Sequence, residues 1–307
     1  MPIELRNISY VYEKGTPHEK TALSHINITF REGEFVGIIG HTGSGKSTMI
    51  QLLNGLIKPS EGSILLDGED IFEEPTAEYL AKISGRKHIS ARMKREAKAK
   101  KMLAVRQRVG LVFQYPEHQL FEMTVAKDIA FGPTNMGLGQ EEIDRRVKES
   151  AAMVGISPDM LEKSPFELSG GQKRRVAIAG VLAMKPDYLI LDEPTAGLDP
   201  GGREDILSKI RALQEETGIT VLLVSHSMDD VAKYADRIVA MDNGVVCFDG
   251  RPEEVFTHVD QLREMGLNVP QVTDLSMKLK ERGFALDRTI LTMDQMEEWL
   301  TKEVIKC

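Results

Sequence analysis

The stretch that decides the fold is Gly40-His41-Thr42-Gly43-Ser44-Gly45-Lys46-Ser47-Thr48, which fits the P-loop pattern G-x-x-x-x-G-K-[ST]. The short apolar run before it, residues 34–39, is typical of a buried parallel strand. After it, residues 46–53 carry apolar side chains at helical spacing. A strand, a glycine-rich turn and a helix in this order predict a phosphate site at the N-terminus of the helix.

Each part of this stretch has a chemical reason. Gly40, Gly43 and Gly45 allow backbone N–H groups to approach phosphate oxygens, and the positive end of the helix dipole adds to the attraction. Lys46 is expected to reach the β- and γ-phosphates of ATP, and the Ser47 hydroxyl to coordinate Mg²⁺. The alternative is an ordinary glycine-rich connection capped by Ser or Thr, and the two motifs described next argue against it.

A second apolar run, residues 187–193, is closed by two carboxylates. A buried strand that ends in an acid delivers this acid to the edge of an open α/β sheet where ligands bind. We expect Asp192 to act through Mg²⁺ or its waters, and Glu193 to be the base that positions or activates the attacking water. The alternative is that the acidic pair opens a helix with Pro194 at its first position.

The third motif is Leu168-Ser169-Gly170-Gly171-Gln172. Ser169 and Gln172 form a capping box, which predicts the start of a helix that continues through residues 176–182. Gly170 and Gly171 fall in its first turn, where glycine weakens a helix but leaves the amides uncovered. Bare amides at the positive end of a helix dipole suit a phosphate, so we favour a phosphate contact over a well-capped helix alone.

Together these three motifs resemble the ATP-binding cassette (ABC) ATPases, whose signature, Leu-Ser-Gly-Gly-Gln, lies just upstream of an acidic pair. The resemblance implies that the signature at 168–172 contacts ATP held by a partner ATPase. It also implies that Gln114, after the apolar run 110–113, is the Q-loop residue that joins Ser47 and Asp192 around the metal. Gln114 is therefore expected to take part in catalysis.

The same resemblance gives roles to three further residues. His226, which follows the predicted strand at 219–225, matches the switch histidine of the family and is expected to be catalytic. Tyr12 stands where the family keeps an aromatic ring that stacks on adenine, although Tyr10 shares its strand face and is the alternative. Asp199 closes a run that matches the D-loop.

The order of apolar runs and turn signals along the chain indicates an α/β fold. With the resemblance to ABC ATPases, it implies a P-loop NTPase (RecA-like) core, an antiparallel β subdomain, a helical ABC subdomain and a small helical C-terminal extension. We expect the nucleotide-binding domain to span residues 1–250, with the helical subdomain at about 116–168 and a basic insertion at about 82–104. Residues 251–307 are expected to form the extension and a dimerisation region.

Composition agrees with this prediction. The chain has 307 residues, of which 41% are hydrophobic and 28% charged, enough for a large core with a charged surface. No apolar run approaches the length that spans a bilayer, and the N-terminus lacks the apolar region of a secretory signal. Cys247 and Cys307 do not form a disulfide framework. A net charge of −8 gives no general attraction to nucleic acid, and no nucleic-acid partner is expected.

One segment departs from this acidic average. The stretch from Lys82 to Arg108 contains eleven Lys and Arg residues against a single acid, Glu96. Much of it has high helix propensity, and we favour a solvated helix or a mobile loop. Contact with phospholipid headgroups or with acidic partner loops is the functional alternative. Nucleic acid is a weaker one, because aromatic residues for base stacking are absent here.

Five further segments resemble the energy-coupling factor (ECF) branch of the ABC ATPases, and in particular its A-prime subunits. They are residues 110–121, 128–133, 174–184, 195–200 and, in the tail, 267–273. The resemblance implies an ATPase on the cytoplasmic face of the cell membrane that energises an importer for vitamins or transition-metal ions. It implies three partners: a sister ABC ATPase, a transmembrane coupling protein and membrane-embedded substrate-binding components.

Two alternatives stay open at this point. A homodimeric cobalt or nickel importer ATPase lies close in class to the ECF prediction. A non-transport ABC ATPase that acts on nucleic acid or ribosomes is less favoured, because the chain has no second ATPase domain, no long heptad array and no overall basic charge. The transported substrate and the number of hydrolysing sites in the dimer do not follow from this sequence.

Overall fold

The computed structural model describes residues 2–74, 76, 81–82, 90–286 and 288–304. Its strands are β1 (Ile3–Tyr12), β2 (Lys20–Phe30), β3 (Phe35–Ile39), β4 (Glu61–Leu66), β5 (Glu69–Asp70), β6 (Val109–Val112), β7 (Tyr188–Asp192), β8 (Thr220–Val224), β9 (Arg237–Asp242) and β10 (Val245–Gly250). Its α-helices are α1 (Lys46–Leu53), α2 (Ala91–Arg108), α3 (Val125–Asn135), α4 (Gln140–Met153), α5 (Gly170–Leu182), α6 (Pro200–Thr217), α7 (Met228–Tyr234), α8 (Pro252–Val255), α9 (Val259–Glu264), α10 (Gln271–Glu281) and α11 (Met293–Val304).

The central sheet has the order β10-β9-β3-β8-β7-β6, and all its pairs are parallel except β10 with β9. Every residue of β3, β7 and β8 is buried, which explains why these strands are unbroken apolar runs in the sequence. Because parallel strands end at the same edge, the loops after β3, β6, β7 and β8 meet there. This edge carries the P-loop, Gln114, Glu193 and His226.

Alternate residues of the central strands face two different cores. Phe35 and Ile39 of β3 pack with the helices on one face, whereas Val36 and Ile38 pack with α1 on the other. The second core is closed by an antiparallel sheet of order β2-β1-β4-β5, through side chains such as Phe30. The expected combination of a P-loop core with an antiparallel β subdomain is therefore confirmed.

Helices fill the chain between β6 and β7. The helices α3 and α4 lie between two short 3₁₀ segments, Pro116–Gln119 and Pro158–Met160, and a third 3₁₀ turn, Pro165–Glu167, leads into α5. Buried side chains of α3, α4 and α5 join the larger core. This segment is the helical subdomain that the sequence predicts, although its limits at 116 and 168 stay a prediction.

The basic segment is helical where it is described, from Ala91 to Arg108, and part of it, residues 83–89, lies outside the described residues. Lys98 pairs with Glu74 at 2.9 Å, and Lys101 donates to the backbone carbonyls of Asp70 and Glu73. Val105 is the buried side chain that holds this helix against the second core. A contact of this helix with headgroups or acidic loops stays a prediction.

The C-terminal part begins as a continuation of the larger core. Phe256, Val259 and Leu262 belong to that core, so it extends past residue 251 without a break. The last helices form a small cluster of their own around Trp299, whose indole N–H donates to the Ala285 carbonyl at 3.1 Å. The boundary at 251 and the role of the extension in dimerisation stay predictions.

Within the described part of the chain, no helix is both long and apolar enough to cross a membrane.

Candidate nucleotide site

The P-loop is fixed between β2 and the turn that joins β9 to β10. A side chain at Gly45, whose φ is +105°, would lie 2.7 Å from the Ala22 carbonyl oxygen. The amide of Gly244, in that turn, donates to the Ser44 carbonyl at 3.0 Å. Gly43, with φ +88°, has open space around it, so a ligand can come close to its backbone.

A histidine in the P-loop makes a further contact with the end of β9. His41 Nε2 lies 2.8 Å from a carboxylate oxygen of Asp242, and its Nδ1 lies 2.8 Å from the Thr42 carbonyl oxygen. Sequence reasoning does not reveal this contact, because the two residues are 201 positions apart. His41 therefore shapes the loop from outside the cavity that the loop encloses.

A cavity of about 420 Å³ opens at this edge of the sheet. It is lined by Tyr12, Lys20, Ala22, Thr42, Gly43, Gly45, Lys46, Ser47, Thr48, Gln114, Asp192, Glu193, Val224 and His226. The structure thus brings together most of the predicted ATP and catalytic residues, whereas Gly40, His41 and Ser44 support the loop from behind. Lys20 and Ala22 were missed, because they reach the cavity only through the pairing of β2 with β1.

The P-loop lysine is buried, with 6% of its surface exposed. Its ammonium donates to the carbonyls of Gly40 at 2.6 Å and His41 at 3.0 Å. Burial lowers the pKa of Lys46, and the carboxylates of Glu193 and Asp192 oppose this shift. The loop carbonyls therefore hold the lysine ammonium in the P-loop, where phosphate oxygens of a bound nucleotide can contact it.

The two carboxylates after β7 differ in their surroundings. Burial raises the pKa of Asp192, and the Lys46 cation counteracts this. Burial also raises the pKa of Glu193 to about 7, although its carboxylate accepts a hydrogen bond from the His226 backbone amide. The His226 Nε2 atom lies 3.4 Å from Glu193 Oε1, and burial lowers the pKa of this imidazole.

The alternative assignment of the acidic pair is wrong. The backbone at Glu193 has φ +51°, a left-handed conformation that a helix start does not use, and the next helix begins at Pro200. The amide of Glu193 donates to the Val224 carbonyl at 3.0 Å, which ties the turn to β8. This strained turn directs the carboxylate into the cavity, as expected of a functional residue.

The oxygen donors at the cavity wall fit Mg²⁺. Ser47 at the start of α1, Gln114 in the loop after β6 and Asp192 at the end of β7 offer a hydroxyl, an amide and a carboxylate. The described residues contain no cluster of three or more His, Cys, Asp and Glu side chains that would hold a metal alone. Mg²⁺ is commonly held by one or two protein oxygens together with phosphates and water, so such a sparse donor set suits it.

The aromatic wall of the cavity is Tyr12. Its hydroxyl lies 3.1 Å from the Thr48 hydroxyl, and its ring packs edge-on against Tyr10 with centroids 4.8 Å apart. Tyr12 lines the cavity, and 39% of its surface is exposed, whereas Tyr10 packs against the second core. The structure favours Tyr12 over Tyr10 as a ring available to a base.

The signature lies elsewhere. Ser169 and Gln172 form the predicted capping box at the start of α5, and Leu168 is buried beneath it. Gly170 is exposed and Gly171 is half-buried, and both border a separate cavity of about 510 Å³, which they share with Asp199 of the predicted D-loop. The two cavities have no lining residue in common.

Comparison with known proteins identifies the family. Residues 23–196 match the model of the ABC transporter family. This chain belongs to that family. The cassette is 52% identical to the energy-coupling factor transporter ATP-binding protein EcfA2 of Clostridium acetobutylicum, over 100% of the chain and 98% of that protein. It is 51% identical to EcfA2 of Clostridium perfringens, over 100% of the chain and 99% of that protein.

Solved structures agree with this assignment. CbiO1 of Clostridium perfringens, part of the ABC transporter complex CbiONQ, has a TM-score of 0.69 at 38% identity and covers 90% of the cassette and 98% of its own chain. The ATP-binding cassette MJ0796, a dimer bound to ADP and Pi, has a TM-score of 0.66 at 28% identity and covers 81% of the cassette and 98% of its own chain. The predicted ABC fold is confirmed.

Proposed function

We propose that this cassette is the EcfA2-type ATPase of an energy-coupling factor importer. It binds and hydrolyses ATP, and closure of an ATPase dimer around ATP drives transport of a vitamin or a transition-metal ion. The observation that carries the proposal is the separation of the nucleotide cavity from the signature cavity within one chain. A single cassette cannot supply both halves of one site, so each half must be completed by a second ATPase.

In this mechanism the chain supplies its own nucleotide with binding groups. The P-loop amides and Lys46 hold the β- and γ-phosphates, and Tyr12 stacks on the adenine. Mg²⁺, when bound by Ser47, Gln114 and Asp192, neutralises charge on the β- and γ-phosphates. These contacts fix the γ-phosphate opposite the carboxylate of Glu193.

Glu193 and His226 act on the attacking water. The Glu193 carboxylate orients the water and accepts its proton, which requires the ionised form of this side chain. The His226 imidazole lies beside that carboxylate and is exposed enough to reach the γ-phosphate when the dimer closes. The other half of the site is a partner's signature, just as the amides of Gly170 and Gly171 serve the partner's ATP.

The remaining partners follow from the relatives. The EcfA2 proteins are named as transporter subunits, and CbiO1 is part of a transporter complex. We infer that the cassette lies at the cytoplasmic face of the membrane, under a transmembrane coupling protein with substrate-binding components, and pairs with a sister ATPase. Residues 251–307 are assigned to dimerisation. A homodimeric cobalt or nickel importer ATPase is the second candidate, and the likeness to CbiO1, part of the transporter complex CbiONQ, supports a transport role in either case.

The test separates ATP binding from hydrolysis in the complex purified from membranes. Glu193→Gln preserves the size of the side chain but removes the base, so single-turnover hydrolysis at this chain's site should fall by about 10²–10⁴-fold. ATP affinity should stay unchanged, because the P-loop sets it. His226→Ala should resemble it in turnover.

A Glu193→Gln variant that hydrolyses ATP at the wild-type rate in this site would remove Glu193 from the mechanism. The equivalent residue of the sister ATPase is changed in parallel. Unchanged overall turnover could otherwise mean either that this chain's site never hydrolyses ATP or that it hydrolyses ATP without Glu193. Mass analysis of the same complex decides between the two candidates, since a homodimer contains only this ATPase.

A further inference from the structure

A buried arginine of the signature helix contacts both loops that serve the other cavity. Arg174 is 3% exposed and lies in the second turn of α5. Its guanidinium donates to both carboxylate oxygens of Glu117, at 3.2 and 3.3 Å. It also donates to the backbone carbonyls of Pro194, at 3.2 Å, and Ala196.

The positions of these acceptors give the contact its meaning. Glu117 lies in the 3₁₀ turn that follows Gln114, and Pro194 directly follows Glu193. Ala196 begins the loop that leads to Asp199. One side chain therefore joins the signature helix to the loop that carries the Q-loop glutamine and to the loop that carries the base.

The guanidinium group of Arg174 can hold these three acceptors in a fixed arrangement. Arginine offers five N–H donors in a planar fork, so it can satisfy a carboxylate and two carbonyls at once. The Glu117 side chain is only 18% exposed, and a carboxylate this buried needs its cation. A displacement of α5 would alter all three contacts together, because hydrogen bonds depend on distance and direction.

We propose that Arg174 is a positioning residue that couples the two ATP sites of the dimer. The inference rests on the proposed function, in which the signature of α5 serves the partner's ATP while Gln114 and Glu193 serve this chain's own. When the partner's ATP draws the signature inward, Arg174 transmits the shift to the loops of the other site. Binding of ATP in the partner's site thereby changes the positions of Gln114 and Glu193 in this chain's own site.

The test measures this coupling as a difference in ATP-analogue affinity. In the intact complex, the affinity of this chain's site for AMP-PNP is measured twice. In the first measurement the sister site can also bind the analogue, and in the second its P-loop lysine is changed to Ala, so that it cannot. Allosteric couplings are typically about 5–150-fold in affinity. We expect a ratio in that range for the wild type and a ratio below about twofold for Arg174→Gln. Arg174→Lys keeps the charge without the fork and should be intermediate.

Arg146 provides a matched control. It too is mostly buried and donates to two carbonyls, those of Ala183 and Met184, and to the carboxylate of Glu142. Its contacts join α4 to the end of α5 and touch neither nucleotide loop. Arg146→Gln should lower the thermal unfolding temperature much as Arg174→Gln does, but it should keep the wild-type coupling ratio.

Three results are decisive. Wild-type coupling in Arg174→Gln, or an equal loss in Arg146→Gln, overturns the inference. A wild-type complex that hydrolyses ATP without any coupling between its sites also overturns it and leaves the proposed function standing. A wild-type complex that does not hydrolyse ATP contradicts the proposed function itself. If Arg174→Gln does not assemble, the ratio is measured with Arg174→Lys, for which wild-type coupling and wild-type stability together would count against the inference.

Discussion

At the scale of single residues, the chemistry of the site depends on where Glu193 is held. Its left-handed backbone and its hydrogen bond to β8 fix the carboxylate beside His226 in a place with little water. Burial, together with the neighbouring Asp192 carboxylate, raises the pKa of Glu193 to about 7. A base with this pKa changes its charge within the physiological range, which is the range where proton transfer is most effective.

This pKa predicts how hydrolysis depends on pH. Glu193 must be ionised to act, so the single-turnover rate should rise with pH and level off above its pKa of about 7. At one pH unit below that value we expect about a tenth of the plateau rate. The measurement is a pH profile of hydrolysis by the complex at limiting ATP, which reports the groups of the nucleotide-free protein, with Glu193→Gln as the control that should be flat. A wild-type profile that is flat between pH 6 and 8 would contradict the assignment.

The same residue predicts the sign of a stability effect. Because the folded-state pKa of Glu193 lies above the ordinary value of 4.5, the folded chain binds this proton more tightly than the unfolded chain. This contribution to stability is present below about pH 4.5 and is lost as the pH rises through about 7. The unfolding temperature of Glu193→Gln relative to the wild type should therefore increase between pH 5 and 8.

Residues that act through a local motif could be predicted, and residues that act through distant contacts could not. Lys46, Ser47 and Glu193 follow from short patterns whose spacing has a chemical reason. Arg174 stands beside other cations of α5, and nothing in its neighbourhood marks it as the one that is buried. Its partner Glu117 is 57 positions away, so the pair exists only once the helical segment has folded.

At the scale of elements, the apolar runs predicted the central strands well, because strands buried on both faces leave no room for polar residues. The order of those strands was beyond the sequence, since β3 pairs with β8 and β9, nearly two hundred residues further along the chain. The basic segment shows a similar limit. Its composition left a solvated helix or a mobile loop open, and the structure has a helix at Ala91–Arg108. The composition did not reveal that Lys98 and Lys101 are held by β5 and the turn beyond it.

The signature helix supplies a prediction at this scale. A side chain at Gly171 would meet only Leu198 Cδ2, at 3.5 Å, which is an ordinary contact. Gly171→Asp should therefore fold normally, yet it places an anion where the partner's phosphate belongs. We expect hydrolysis at the partner's site to fall by about 100-fold, as when a donor to the transition state is lost.

The measurement is single-turnover hydrolysis in complexes that contain the Gly171→Asp chain and an intact sister P-loop. Circular dichroism of the isolated variant checks the fold. Gly139→Asp is a control at the start of another helix, because Gly139 is the N-cap of α4, has open space around it and lines neither cavity. Full activity at both sites with Gly171→Asp would contradict the division of labour between the two cavities.

At the scale of the whole molecule, the proposed function makes each chain half of two sites. The cavity beside the P-loop lacks a signature, and the cavity beside the signature lacks a P-loop. The purified chain should therefore bind ATP with its own P-loop but hydrolyse it slowly, by about 10²-fold or more below the rate in the complex. Adding the sister ATPase should restore the rate, whereas a second copy of this chain should restore it only if the homodimeric alternative holds.

Separate variants of the P-loop and of the signature test this prediction one site at a time. Lys46→Ala removes the cation that faces the β- and γ-phosphates, so it should silence this chain's own site while its signature still serves the partner. Gly171→Asp does the reverse. In a complex with a wild-type sister, each variant should therefore abolish hydrolysis in a different site, and radiolabelled ATP crosslinked to either subunit reports which one remains active. Loss of the same site in both variants would show that P-loop and signature of one chain act on one nucleotide, which the separation of the two cavities does not permit.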